Sequence, residues 1–90
     1  MNVGYQAQWV SKAKAESLRR SGVLAGGVLL DSFNGFVVIE PVGSEWGDGK
    51  ILSTEEADYE LSPAWCLESK ARVSQARRLL GLDAGQLSVA

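Results

Sequence analysis

Histidine is absent from this 90-residue chain, and cysteine occurs once, as Cys66. Without histidine, the usual general base and the commonest transition-metal ligand are both missing. A single cysteine excludes a disulfide within the chain and gives no thiolate pair for structural zinc. These shortages exclude Ser-His-Asp and Cys-His catalysis, zinc hydrolysis and two-histidine iron sites. We therefore predict no metal and no cofactor.

Long hydrophobic runs are also lacking. The longest nearly uncharged run, residues 21–30, is too short and too rich in glycine to cross a bilayer. Residues 1–8 lack the charged start and apolar segment of a signal peptide. We expect a cytoplasmic location with no membrane contact. At 90 residues and 46% hydrophobic content, residues 1–90 are expected to form a single small domain without a deep cavity.

The strongest structural signal is a β-hairpin over residues 27–41. Two apolar runs rich in β-branched residues flank Asn34-Gly35, a dipeptide that suits a tight turn. A two-residue turn there would pair Phe33 with Phe36, whereas a three-residue loop over residues 33–35 would shift the register by one residue. The sequence leaves both registers open. With the two-residue turn, the core face of the hairpin carries Val28, Leu30, Val37 and Ile39, and the other face is apolar only near the turn.

Two amphipathic helices are predicted on either side of the hairpin region. Residues 6–20 place apolar or small side chains at helical spacing, with Gly22 as a C-terminal cap; these are Trp9, Val10, Ala13 and Ser17. Residues 63–80 form the second helix, ended by Gly81. It begins directly at Pro63, or it begins after Ser69 and is preceded by one 3₁₀ turn. Residues 82–90 are a tail.

Between the hairpin and the second helix, residues 50–53 suit a third short strand. Ser53-Thr54-Glu55-Glu56 has the composition of a helix start, since a serine caps the first turn and acids favour its positive end. Residues 57–61, however, alternate with a period of two, which favours a fourth strand after a turn. The predicted fold class is α+β: an N-terminal helix, an antiparallel sheet of about four strands over residues 27–61, and a C-terminal helix. The specific variant we favour is a small SH3-like barrel.

Charge is unevenly distributed along the chain. Residues 1–22 hold four basic residues and one acidic residue, residues 23–62 hold one basic and eight acidic, and residues 63–90 hold four basic and two acidic. The simplest interpretation is a solvated surface on which opposite charges attract weakly. A sharper one is that the acidic centre recognises a basic protein partner.

These features lead to the hypothesis of a non-enzymatic protein-binding module. Its candidate contact residues are the aromatic and acidic side chains of the central region, namely Phe33, Phe36, Glu45, Trp46, Asp48, Glu55, Glu56, Asp58 and Tyr59. Exposed hairpin edges also allow a homodimer.

Two alternatives come from other classes of function. Basic helix faces would contact phosphates of a nucleic acid through Arg19, Arg20, Arg72, Arg77 and Arg78, although the acidic pI near 5.0 opposes this. A small oligomeric enzyme would place a carboxylate at a subunit interface. The sequence contains no catalytic motif that would support the enzyme alternative.

Overall fold

The computed structural model describes residues 4–22, 24, 26–62 and 66–82. Six elements follow one another along this part of the chain: β1 (Tyr5–Val10), α1 (Lys12–Ser21), β2 (Val28–Ser32), β3 (Gly35–Pro41), α2 (Thr54–Glu60) and α3 (Lys70–Leu80). The three strands form one antiparallel sheet in the order β1-β3-β2. The fold class is therefore α+β, as the sequence predicts.

The first element corrects the prediction of one helix over residues 6–20. Strand β1 occupies the first part of that segment and pairs with β3 from Tyr5 opposite Pro41 to Val10 opposite Phe36. The helix begins only after Ser11, whose hydroxyl accepts a hydrogen bond from the backbone N–H of Lys14. The spacing of apolar residues in this segment fits both a helix and a strand. Pairing with the central strand β3 selects the strand.

The predicted hairpin is present, but in neither of the two predicted registers. Ser32 pairs with Gly35, so the two-residue turn is Phe33-Asn34. Gly35, just after the turn, has a positive φ of 145°. The register differs by two residues from the first prediction, and a shift of two leaves every side chain on its predicted face.

Helix α2 occupies the segment for which a fourth strand is predicted. Ser53 accepts a hydrogen bond from the N–H of Glu56, and the Glu56 carboxylate accepts one from the N–H of Ser53. This capping box stabilises the first turn more than a five-residue alternation can favour a strand. Of the predicted third strand, Ile51 forms one isolated bridge, to Gln8. The described residues form a three-stranded sheet, and the four strands and the SH3-like barrel are not confirmed.

Helix α3 follows the later of its two predicted starts. Ser69 is the N-cap, and its hydroxyl accepts a hydrogen bond from the N–H of Arg72. The helix is capped by Gly81, as α1 is capped by Gly22, and both predicted helix ends are confirmed. Both glycines adopt the left-handed conformation. Residues 63–65 and 83–90, which cover the alternative start and most of the tail, lie outside the described residues.

Helices pack on both faces of the sheet. One face and α1 form the α1-side cluster, which contains Val10, Ala15, Leu18, Leu29 and Val38. The other face packs against α2 and α3 in the larger α3-side cluster, which contains Ala7, Val28, Leu30, Val37, Ile39, Leu52, Ala57, Leu61, Cys66, Val73 and Ala76. All four side chains predicted for the core face of the hairpin belong to this second cluster.

Candidate partner-binding surface

The nine predicted contact residues lie in three places. Phe33 and Phe36 belong to the hairpin, and three more belong to the loop of residues 42–49. The remaining four lie on α2. These places do not form one surface, because Phe36 and Trp46 pack against the α1-side cluster whereas α2 covers the opposite face.

The 42–49 loop is held by two buried polar side chains of the sheet. Glu40 on β3 has no exposed surface and accepts a hydrogen bond of 2.6 Å from the backbone N–H of Trp46. Gln8 on β1 accepts one of 3.0 Å from the N–H of Gly47. Buried acceptors of this kind fix the path of the loop, because leaving them unpaired would be unfavourable.

Trp46 is half-buried, and Glu45 beside it is exposed. The Trp46 ring lies so close to Gly27 that a Cβ there would be 2.5 Å from its Cζ3 atom. Glu45 has a φ of 55°, an uncommon conformation for any residue other than glycine. Trp46 is therefore partly a core residue, and Glu45 is the outward-facing member of this pair.

Asp48 fixes the junction between β1 and α1. Its Oδ1 accepts a hydrogen bond of 2.8 Å from the N–H of Ser11, and its Oδ2 accepts one of 2.7 Å from the Ser11 hydroxyl. The hydroxyl donor, followed by the backbone donor, holds the pKa of Asp48 below its ordinary value. Since Ser11 is also the N-cap of α1, the carboxylate of Asp48 is used within the domain.

The two phenylalanines of the hairpin differ in exposure. Phe33, in the turn, is 69% exposed. Phe36 is half-buried, and the guanidinium carbon of Arg19 lies 5.7 Å from the centroid of its ring, within the range of a cation–π contact.

The four predicted residues of α2 are all exposed, but two of them already have ionic partners. The N–H of Ser53, followed by Lys50 at 2.9 Å, lowers the pKa of Glu56 from 4.5 to about 2. Asp58 forms an ion pair of 2.7 Å with Arg77. Glu55, in contrast, has no hydrogen-bond or ion-pair partner among the described residues.

A shallow groove runs along α2 and is the site in which aromatic and acidic residues meet. It has a volume of about 260 Å³, and we call it the α2 groove. Its lining residues are Trp9, Glu55, Glu56, Tyr59 and Glu60. Three of these five were predicted as contact residues, whereas Trp9 and Glu60 were not. The sequence feature that could have predicted Glu60 is the capping motif at Ser53. A helix that starts at Thr54 places Glu60 one turn beyond Glu56.

Glu60 gives the groove a buried carboxylate. It is 7% exposed and accepts hydrogen bonds from the Ser32 hydroxyl, at 3.0 Å, and from the Asn34 amide, at 2.9 and 3.2 Å. Both partners are neutral, and no basic side chain of the described residues forms an ion pair with Glu60. The Glu60 carboxyl group is therefore held by neutral hydrogen-bond donors, without an ion-pair partner among the described residues.

The five arginines of the nucleic-acid hypothesis lie on two different sides of the sheet. Arg19 and Arg20 are on α1, whereas Arg72, Arg77 and Arg78 are on α3. Arg72 donates to the carbonyl oxygen of Leu29 at 2.7 Å, and Arg77 pairs with an α2 carboxylate. The structure does not bring these arginines together into one basic surface.

Among the described residues, no group of three or more cysteine, aspartate or glutamate side chains is placed to hold a metal ion. Cys66 is buried in the α3-side cluster, where it packs as a small apolar residue. Burial raises the pKa of its thiol above the ordinary value of 9.0, so the thiol is protonated at neutral pH.

Comparison with protein-family models, with curated proteins and with solved structures found no match for this chain. In the described part of the chain, none of the helices has both the length and the apolar character needed to span a bilayer.

Proposed function

We propose that this protein is a non-enzymatic binding module that recognises a basic segment of a protein partner through the α2 groove. The observation that carries the proposal is the combination, in one groove, of two aromatic residues with carboxylates that lack a cation. Trp9 and Tyr59 supply the aromatic surface, and Glu55 and Glu60 supply the negative charge. Aromatic anchors beside desolvated charges are typical of the energetically important centre of an interface.

The carboxylates favour binding over catalysis. Asp48 and Glu56 have lowered pKa values because they accept hydrogen bonds in the caps of α1 and α2. Both stay ionised at neutral pH, whereas a general acid or base works best with a pKa near the operating pH. Their chemistry is that of helix capping and charge attraction.

A protein partner is also favoured over a nucleic acid. The groove is acidic, so it would repel a phosphate backbone. Three of the five candidate arginines also contact other residues of the domain: Arg19 the ring of Phe36, Arg72 the carbonyl of Leu29 and Arg77 the carboxylate of Asp58. Basic segments of proteins are attracted by the same charge, which speeds encounter and selects orientation.

The proposal is tested by titrating the ¹⁵N-labelled protein with three peptides of equal length, one rich in arginine and lysine, one neutral and one acidic. We expect only the basic peptide to shift the amide signals of α2 and the Trp9 indole signal, with weaker binding as salt is raised. Glu55→Gln should weaken binding about twofold to fivefold. The matched control is Glu16→Gln, an exposed glutamate on α1, which should leave binding unchanged. Shifts confined to α1, or equal binding of the acidic peptide, would refute the proposal.

A further inference from the structure

From the dimensions and chemistry of the α2 groove, we infer that it accommodates a single arginine side chain of the partner. The assignment of arginine rests on the proposed function, which requires only a basic segment. The volume of the α2 groove, about 260 Å³, lies below the range of about 300–1,000 Å³ that is typical of pockets for drug-sized ligands. The groove therefore has room for one side chain rather than for a folded element or a large cofactor.

Trp9 provides a fixed aromatic wall. The residue lies on β1 and packs against the edge of the α3-side cluster. Its six-membered ring rests on Gly35, where a Cβ would be 3.3 Å from Cζ3 and 3.6 Å from Cε3. The absence of a side chain at Gly35 lets the ring lie close to the hairpin, so the ring has this neighbour before any ligand arrives. A preorganised surface binds with a smaller loss of entropy.

Tyr59 lines the same groove from α2 and is 56% exposed. It lies one helical turn after Glu55, so its ring and that carboxylate are neighbours on the helix surface. A planar guanidinium can stack on an aromatic ring while its edge donates hydrogen bonds to a carboxylate.

The carboxylates of the groove have acceptor capacity left for such a ligand. A carboxylate has about four lone-pair sites, and three hydrogen bonds from Ser32 and Asn34 already reach Glu60. One acceptor position therefore remains on Glu60, and all those of Glu55 remain. Glu56 is committed to Lys50 and Ser53. Lys50 pairs with Glu56 only, so Glu55 and Glu60 have no basic partner among the described residues.

Arginine matches this arrangement better than lysine. The guanidinium has five N–H donors in a flat fork, so it can reach two separate carboxylates and still stack on a ring. The guanidinium is also less strongly hydrated than an ammonium group, so it loses less hydration free energy on entering a half-buried groove. A lysine would use the charge of the groove but not its planar aromatic wall.

The test uses three blocked tripeptides that differ in one side chain, with glycine on either side: arginine, citrulline and lysine. Citrulline has the shape of arginine without its charge. In ¹⁵N-resolved titrations of the full chain, we expect the arginine peptide to shift the Trp9 indole and the Tyr59 amide. It should bind at least tenfold more tightly than the citrulline peptide and at least threefold more tightly than the lysine peptide.

Two variants separate the groove from the rest of the acidic surface. Tyr59→Ala, at an exposed position where folding should be retained, should weaken arginine binding at least threefold, whereas Tyr59→Phe keeps the ring and should bind like the wild type. Equal affinity for arginine and lysine, with Glu55→Gln weakening both, would overturn the arginine assignment but leave the proposed function standing. Failure of both basic peptides to bind would overturn both proposals. Binding of citrulline as tight as that of arginine would also refute the arginine assignment.

Discussion

At the scale of single residues, Glu40 is an acid with no exposed surface and with a hydrogen bond to each of its carboxylate oxygens. Its Oε1 accepts from the backbone N–H of Trp46 and its Oε2 accepts from the amide of Gln6, each at 2.6 Å. Glu40→Ala would leave both donors unpaired and open a cavity beneath the 42–49 loop. We expect a loss of about 2–4 kcal/mol in the free energy of unfolding, measured with urea.

Glu40→Gln is the matched variant for this prediction. Its side-chain carbonyl can accept from the N–H of Trp46, and the Gln6 amide can rotate to present its oxygen to the new NH₂ group. The loss should be less than half of that in Glu40→Ala. Equal losses in the two variants would show that the charge of Glu40, and not its hydrogen bonds, holds the loop.

Glu56 gives the domain a pH-dependent stability. Its pKa is lowered from 4.5 to about 2 by the Ser53 N–H and by Lys50, so folding favours the ionised form. The stabilisation is fully present above pH 4.5 and is lost as the pH falls towards 2. We expect Glu56→Gln to unfold at lower urea than the wild type at pH 6 and to lose less stability between pH 4.5 and pH 2.

The remaining slope in Glu56→Gln should come from groups such as Asp48, whose pKa is also lowered. Glu55→Gln is the control, because Glu55 is a neighbouring exposed glutamate without a partner among the described residues. Its urea midpoint at pH 6 should fall by less than that of Glu56→Gln, because Glu55 contributes only its charge near the start of α2. The prediction is wrong if Glu56→Gln and the wild type lose stability in parallel.

At the scale of elements, α2 depends on its cap. A seven-residue helix is too short to be stable alone, so its first turn relies on the Ser53 hydroxyl and on packing. Ser53→Ala removes the bond to the Glu56 N–H and should lower stability by about 1 kcal/mol in thermal unfolding. The control, Ser74→Ala on the exposed face of α3, should change stability by less than about 0.5 kcal/mol. Equal effects of the two changes would argue against the cap.

The outer edge of β2 is closed by side chains rather than by a fourth strand. Arg72 donates to the Leu29 carbonyl at 2.7 Å, and Glu68 accepts from the Asp31 N–H at 2.9 Å. The two side chains also form an ion pair of 3.2 Å, so together they occupy the positions of a neighbouring backbone. Such covering protects an edge strand from pairing with other chains.

Removal of this cover is testable with two arginines of the same helix. Arg72→Ala should lower the free energy of unfolding by about 1–2 kcal/mol. This is the contribution of a hydrogen bond from a charged group, reduced because the Arg72 side chain is half exposed. Arg78→Ala removes the same charge from an exposed position without a partner among the described residues, and it should cost less than about 0.5 kcal/mol. Similar losses in both variants would mean that net charge, and not the Leu29 contact, is responsible.

The elements predicted correctly are those with strong local signals. The strands of the hairpin and the end of α1 at Gly22 depend on residues within one turn of the position concerned, and so does the later of the two starts that the sequence leaves open for α3, after Ser69. Strand β1 is different, because it forms by pairing with residues about thirty positions away, and its apolar spacing suits either period. No local signal in the sequence reports that partner.

The α2 groove illustrates the same limit for the site. Glu55, Glu56 and Tyr59 were predicted as contact residues from charge and aromaticity alone. Trp9 joins them only because folding brings this residue of β1 into the same groove as α2, and Glu60 is oriented by contacts with the hairpin. The helix itself has a local signal in the sequence, since Ser53 and Glu56 stand at the spacing of a capping box, but the short alternation that follows competes with that signal.

At the scale of the whole molecule, the central strand joins two cores. Val38 of β3 belongs to the α1-side cluster, while Val37 and Ile39 belong to the α3-side cluster, and all three are fully buried. Loss of either helical layer would expose one complete face of the same sheet. The two layers should therefore unfold together rather than as separate units.

One substitution in each cluster tests this cooperativity. Leu18→Ala, on the α1 side, should lower the free energy of unfolding by about 2–4 kcal/mol, and Val73→Ala, on the α3 side, by about 1–3 kcal/mol. In both variants, far-ultraviolet circular dichroism and tryptophan fluorescence should give the same urea midpoint, because Trp46 and Trp9 lie against opposite clusters. If Leu18→Ala lost helical signal at a lower urea concentration than it lost fluorescence, α1 would be a separate unit. The single sheet would then fail to couple the α2 groove to the opposite face.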